Sequence, residues 1–311
     1  MRNETQVALD QLKNLDLSTY PHDKAEELIG ELAWHYPVIP LHHDTFIIRA
    51  RPNKDDRHFT CKSELTYAPQ GKNDLYRRAS NPNSTAFYAS LAPGPMEQGR
   101  FLDALITNAM ELLGRWLSDR KVKGRRVITY GRWRIVKDLT VVPVVQNESF
   151  SEANFTARLL MDRIRELIEA HPETKDDDWA VSSFFAREFA KEVRQDEDDY
   201  NYLLSAAFSE RMINKGKVDG ILYQSVPTGR QGWNVAITPE AADTCIELVA
   251  VGEYSAYNYY GNSLIDPDVV VELMPNQITF ELVPKLESDH IGRDTWLHDL
   301  GLRSIDDVLS V

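Results

Sequence analysis

An α+β fold is predicted by the way helical and strand-like segments fall in blocks along the chain. Strand-like runs group at 45–145 and again at 218–283, whereas helical patterning dominates 4–35 and 151–215. The principal exception is 100–118, where Leu102, Leu105, Ile106, Ala109, Met110, Leu113 and Leu117 build one apolar helical face amid strands.

Within 4–35, Leu9, Leu12 and Leu15 recur at helical spacing, and Ala25, Leu28, Ile29 and Leu32 form a second stripe. Ser18-Thr19-Tyr20-Pro21 separates the two, and Pro37 and Pro40 end the helical region. Residues 1–44 therefore read as an N-terminal helical extension. Thr45-Phe46-Ile47-Ile48-Arg49-Ala50-Arg51 is strand-like and Pro52 stops it. Residues 53–82 are loop-rich, and 85–90, 126–130 and 140–145 are short strands.

An amphipathic helix is expected at 151–171, then an acidic loop at Asp176-Asp177-Asp178. Two more helices are expected at 179–194 and 199–215, with an acidic stretch, 196–199, between them. The run Val218-Asp219-Gly220-Ile221-Leu222-Tyr223-Gln224-Ser225 reads as a buried strand ending in a hydroxyl at the lip of a cleft. A loop with Gly229 and Gly232 follows, then Asn234-Val235-Ala236-Ile237. Residues 245–283 are strand-rich, notably 269–273 and 278–282, and 294–311 suit a short helical hairpin or pair of turns. No internal repeat or low-complexity segment is present.

The 311 residues suffice for one large domain or two small ones. Net charge is −13, and so acidic a chain argues against a duplex-wide phosphate-binding surface. A local site for an anionic ligand is still compatible with it. Arg120, Lys121, Lys123, Arg125, Arg126, Arg132 and Arg134 form a basic cluster, best read as a solvated turn between helix and strand rather than a nucleic-acid stacking platform. Two distant cysteines, Cys61 and Cys245, give no disulfide framework or cysteine zinc site, so a reducing, cytoplasmic location is expected. No signal-peptide core or membrane-length apolar run occurs, and no membrane partner is expected. There is no G-x-G-x-x-G, P-loop, G-x-S-x-G or H-E-x-x-H motif. His42-His43 has no partner at metal-ligand spacing, so no metal is expected.

Four segments, in order, resemble the RES family, named for its Arg, Glu and Ser. They are Ile47-Ile48-Arg49-Ala50-Arg51, then Arg77-Arg78-Ala79-Ser80-Asn81-Pro82 running to Phe87-Tyr88-Ala89. Next come Ala104-Leu105-Ile106-Thr107-Asn108-Ala109-Met110-Glu111 and Asp219 to Ser225, with Asn234 beyond. The resemblance spans about 45–240. It implies an ADP-ribosyltransferase-like mixed β core, here with a helical insertion at about 151–195 and a C-terminal extension over 241–311. It further implies consumption of NAD as substrate, with no bound cofactor. The ADP-ribosyl acceptor would be phosphate or water. A toxin-like role restrained by an antitoxin or immunity protein would follow, and association into a homo-oligomer is left open. The sequence departs from the family at Arg77, where a glycine is usual, and an extra residue separates Arg78 from Asn81. It does not say whether Arg77 or Arg78 takes the family role.

The chemistry asks for such residue types. Cleaving a nicotinamide–ribose bond builds positive charge on the ribose, which an ionised carboxylate stabilises; Glu111 suits that role. Guanidinium forks suit a pyrophosphate, and Arg49 and Arg78 are the candidates. Tyr88 can stack on nicotinamide, and Ser225 and Asn234 can orient hydroxyl or amide groups. Ser225 reads as a positioning group, since nothing beside it resembles an activating base. Each residue also has a bland reading. Arg49 can face solvent on its strand, Glu111 lies off the apolar stripe, Tyr88 can be core, and Ser225 and Asn234 can shape a turn. Two other functions fit the same residues: mono-ADP-ribosylation of a protein target, and a non-enzymatic interaction module on a degenerate fold.

Overall fold

A computed structural model describes residues 4–54, 57–82, 84–91, 98–145, 155–193, 198–283, 286 and 290–309. The Pro93-Gly94-Pro95 stretch, the start of the helix expected at 151 and most of the acidic stretch at 196–199 lie outside them.

In chain order the first elements are α1 (Glu4–Lys13), α2 (His22–Glu31), β1 (Ile39–Leu41), β2 (Phe46–Pro52), β3 (Phe87–Leu91) and α3 (Gln98–Ser118). Then come β4 (Lys123–Ile135), β5 (Leu139–Val144), α4 (Phe155–Glu169), α5 (Lys175–Phe189) and α6 (Leu203–Gly216). The last are β6 (Gly220–Gln224), β7 (Trp233–Ile237), α7 (Pro239–Cys245), β8 (Ile246–Tyr259), β9 (Asn262–Glu272), α8 (Ile291–Asp299) and α9 (Asp306–Leu309). Among the described residues nine strands form a mixed sheet, accompanied by helices, the α+β class expected. Two compact units, each discontinuous in sequence, make up the chain.

The first unit comprises Met1–His43, Tyr67–Tyr88 and Ile135–Cys245. Its strand order is β1-β5-β6-β7. β5 and β6 are parallel, with Val141 opposite Gly220, and α4, α5 and α6 supply the crossover that parallel strands require. β6 and β7 are antiparallel. One apolar core joins Leu9 and Leu12 of α1, Leu28 and Ile29 of α2, Phe184 and Phe185 of α5, Phe208 of α6, and Ile221 of β6. The helices that extend the sequence at its start are thus part of that core.

The acidic stretch Asp176-Asp177-Asp178 is the first turn of α5, not a loop. Carboxylates at a helix N-terminus are stabilised by its partial positive charge. Asp178, fully buried, also accepts the His35 N–H at 2.7 Å and the Thr174 hydroxyl at 2.9 Å.

The second unit comprises Asp44–Thr66, Ala89–Arg134 and Ile246–Val311. Its strands run in the order β2-β4-β8-β9, and the end of β3 pairs with β2. α3 packs over β2, with Ala104, Leu105, Ala109, Leu113 and Leu117 against Ile48, Ala50, Ile128 and Tyr254. β4 is longer than the strand expected at 126–130, and most of the basic cluster lies on it. Arg125 donates to the Ser255 hydroxyl at 3.0 Å, and Arg126 stacks on Trp116. Arg132 pairs with Glu272 and Arg134 with Glu247. Cross-strand partners therefore hold Arg125, Arg132 and Arg134, whereas Arg120 and Lys121 lie in the exposed turn before β4, as expected.

Of the two strands expected at 269–273 and 278–282, the first is the end of β9. The second is irregular, because a turn closed by Gln277 N–H to the Met274 carbonyl, with Asn276 at φ 63°, redirects the chain. Only a single bridge, Cys61 to Thr279, survives there.

Candidate functional site

The β6–β7 hairpin is built to be narrow. Both strands are buried along their length, and Gly220 abuts the Ala236 carbonyl so closely that a Cβ would collide with it. Tyr223 stands opposite Asn234, and the same register puts Ser225 opposite Gly232, whose carbonyl takes the Ser225 N–H at 2.9 Å. Side chains alternate along a strand and match across a pair, so Ser225 and Asn234 share the face of Ile221 and Tyr223. The residue opposite Ser225 is a glycine and adds no side chain to that face. Ser225 was expected at a lip; it is fully buried, because the pairing continues one residue past β6.

The connecting loop is cross-braced. The Ser225 carbonyl accepts the Arg230 N–H at 2.9 Å and the Thr228 hydroxyl at 3.1 Å. Gln224 donates its side-chain amide to the Arg230 carbonyl at 3.1 Å, and Gly232 donates its N–H to the Thr228 hydroxyl at 2.9 Å. At its tip both Gly229 and Arg230 have positive φ, 61° and 69°. A side chain in that region costs about 1 kcal/mol or more.

Arg78 and Tyr88 also belong to the first unit. The Arg78 guanidinium donates to the carbonyls of Phe189 and Lys191 at the end of α5, the latter at 3.1 Å, and lies over the Tyr202 ring. It serves as a cationic cap on that helix end. Arg77 is exposed, with its Nε on Asn73 at 3.3 Å. The Tyr88 hydroxyl accepts the Ala79 N–H at 3.1 Å and meets the Ser80 hydroxyl at 2.9 Å, and burial pushes its phenol pKa up. Asn81 donates to Glu210, which also holds His22 at 3.0 Å. Arg78, Tyr88 and Asn81 thus pin the loop between them to the helical core.

Arg49 and Glu111 belong to the second unit. Arg49, half-buried on β2, donates its Nε to the Thr66 carbonyl at 3.2 Å, and Arg51 donates to the Glu64 carbonyl at 2.7 Å. On α3 the buried face is rotated from the one that the apolar stripe predicts. Leu102, Ile106 and Leu112 are exposed, while Ala104, Thr107 and Asn108 are buried and Glu111 is half-buried. Ala104, Asn108 and Glu111 follow the i, i+4, i+7 spacing of one helical line. Asn108 donates its side-chain amide to the Ile48 carbonyl of β2 at 3.2 Å. Glu111 therefore lies one turn beyond a side chain that touches β2, not on the solvent face that period alone assigns.

A hairpin closing on a serine and an asparagine, downstream of these residues, calls for comparison with known families. Residues 131–259 match the RES domain. The RES match begins in β4 and ends with β8, so it contains Ser225, Arg230 and Asn234. Arg49, Arg78, Tyr88 and Glu111 precede the RES segment. No curated protein matches the chain.

Among the described residues, no three His, Cys, Asp or Glu side chains are gathered to hold a metal ion. His42 and His43 instead meet Asp138 at 3.2 and 3.0 Å, and their hydrogen bonds, led by the His43 N–H, draw its pKa down to about 2. No helix among the described residues is long and apolar enough to cross a membrane.

The residues that sequence reading missed are Thr107 and Asn108 on the inward line of α3, and Arg230 in the hairpin loop. The first had a legible signal, a small and polar line at i, i+3, i+4 and i+7. Arg230 had a weaker one, a large residue directly after the glycine of a tight turn.

Proposed function

We propose that the chain degrades NAD by cleaving the nicotinamide–ribose bond, on an ADP-ribosyltransferase-like fold. The observation that carries this reading is the RES match whose span holds the Ser225–Asn234 hairpin. It is supported by the inward line of α3 that ends on Glu111.

In the proposed reaction the C–N bond breaks and nicotinamide leaves with the bonding pair. The ribose carbon becomes oxocarbenium-like, and an oxygen of phosphate or water forms the new bond to it. With water, a proton is released; with phosphate, the product is ADP-ribose 1″-phosphate. Glu111 supplies the carboxylate that offsets the developing charge. Arg49 supplies a guanidinium for the pyrophosphate. Ser225 and Asn234, held by the hairpin, orient hydroxyl or amide groups. Tyr88 supports the loop from Ala79 to Asn81, and Arg78 fixes that loop to the end of α5. A toxin-like role follows from NAD depletion, and a partner that covers the site would restrain it.

The test is incubation of the purified chain with NAD, with and without phosphate, followed by separation of products. Nicotinamide release supports the reading, and a product shift to the 1″-phosphate identifies phosphate as acceptor. Absence of release by folded protein overturns it. Label carried on a macromolecule would replace it with mono-ADP-ribosylation. Glu111→Gln should lower turnover by about a hundredfold or more, as loss of one electrostatic stabiliser does, with the far-UV spectrum unchanged.

A further inference from the structure

Resting on the NAD reading, we propose that Arg230 is an oxyanion-binding residue. Its ligand would be a phosphate group, either in the dinucleotide's pyrophosphate or as free orthophosphate. The backbone argument comes first. In a two-residue turn whose central residues both have positive φ, glycine is strongly favoured at the second. The β8–β9 turn obeys this rule, with Tyr260 at φ 52° followed by Gly261 at φ 91°. The β6–β7 connection is a longer loop, but inside it the local turn from Thr228 to Gln231, closed by the Gln231 N–H on the Thr228 carbonyl at 3.4 Å, has the opposite order, with Gly229 at φ 61° followed by Arg230 at φ 69°. The position that local physics reserves for glycine carries the longest cationic side chain.

That conformation is imposed from both sides. Arg230 donates its N–H to the Ser225 carbonyl at 2.9 Å and accepts the Gln224 side-chain amide at 3.1 Å. Its backbone is therefore tied directly to the residue with the candidate hydroxyl. The hairpin would close as well, and with less strain, around glycine. Strained residues that surrounding structure over-determines concentrate where ligands bind. A guanidinium is the side chain suited to forked hydrogen bonds with a phosphate group. In a chain of net charge −13, an anionic substrate needs such a fixed local cation.

The experiment separates strain from charge. Arg230→Gly removes both, Arg230→Met keeps the side-chain strain without the charge, and Arg230→Lys keeps the charge without the fork. Steady-state kinetics are run with NAD and phosphate varied separately, and calorimetry follows inorganic pyrophosphate and ADP-ribose binding without turnover. Melting temperatures are taken alongside. We expect Arg230→Gly to melt about 2 °C higher than the parent, as relief of one strained residue would give. Its KM should rise about tenfold or more, the loss of one charge-assisted hydrogen bond. Arg230→Met should lose binding equally without the gain in melting temperature, and Arg230→Lys should fall between.

A rise confined to the NAD KM assigns the pyrophosphate; one confined to the phosphate KM assigns the acceptor. Unchanged KM values in a parent that turns over NAD overturn the inference and leave the NAD reading standing. Pyrophosphate binding that is lost in Arg230→Gly, in a parent without turnover, upholds the inference and overturns the NAD reading. A parent that binds none of these ligands overturns both.

Discussion

At the scale of single residues, Arg77 and Arg78 adjoin in sequence but have different surroundings. Arg78 donates to the carbonyls of Phe189 and Lys191 and stacks on Tyr202, whereas Arg77 is exposed. Arg78→Ala should cost about 2 kcal/mol in urea unfolding, the loss of charged hydrogen bonds to a helix end. Arg77→Ala should stay within about 0.5 kcal/mol of the parent. Equal effects would remove Arg78 from its capping role. Tyr88→Phe should likewise cost about 1–2 kcal/mol, because it leaves the buried Ala79 N–H without the hydroxyl it donates to. Gly220→Ala makes a third case. Its methyl would meet the Ala236 carbonyl, backbone that cannot swing aside, so a loss of about 3 kcal/mol is expected, at the upper end for overpacking.

At the scale of elements, α2 is held to α6 by His22 and Glu210, 3.0 Å apart. The hydrogen bond to Glu210 raises the His22 pKa above 6.5, against the opposing effect of burial. The same bond lowers that of Glu210 below 4.5. The histidine's contribution is complete below its unfolded value and is lost as pH rises through the raised folded one. The carboxylate's contribution is complete above its unfolded value and is lost as pH falls through the lowered folded one. The pair is therefore at full strength between 4.5 and 6.5. His22→Ala should destabilise by about 1 kcal/mol at pH 5.5 and by less at pH 8.5, read from urea midpoints. A pH-independent difference would mean that packing of the ring, not its charge, matters.

At the scale of the whole molecule, the first unit depends on helices that the sequence alone presents as an extension. Leu9, Leu12, Leu28 and Ile29 are buried in its core. At roughly 2 kcal/mol each they contribute about 8 kcal/mol, comparable with the entire stability of a typical domain. A chain beginning after residue 31 should therefore be insoluble on expression. A soluble, cooperatively melting truncation would show the first unit's core to be complete without them.

The residue pattern by itself determined the α+β class, the buried strand closing on Ser225 and the Arg–Glu–Ser order that resembles the RES family. Alternation and helical period are local properties, and turn glycines announce themselves where they stand. The inward face of α3 was decided only by tertiary packing. Its apolar residues cover more than half the helix circumference, so the pattern permits several rotations. Close approach of Ala104 and the Asn108 bond to β2 select the one that turns Glu111 from the solvent side. The capping role of Arg78 was likewise invisible in sequence, and the strain at Arg230 was announced only by the glycine before it. Each depends on partners or backbone angles set by residues that fold beside it, and neither leaves a periodic trace.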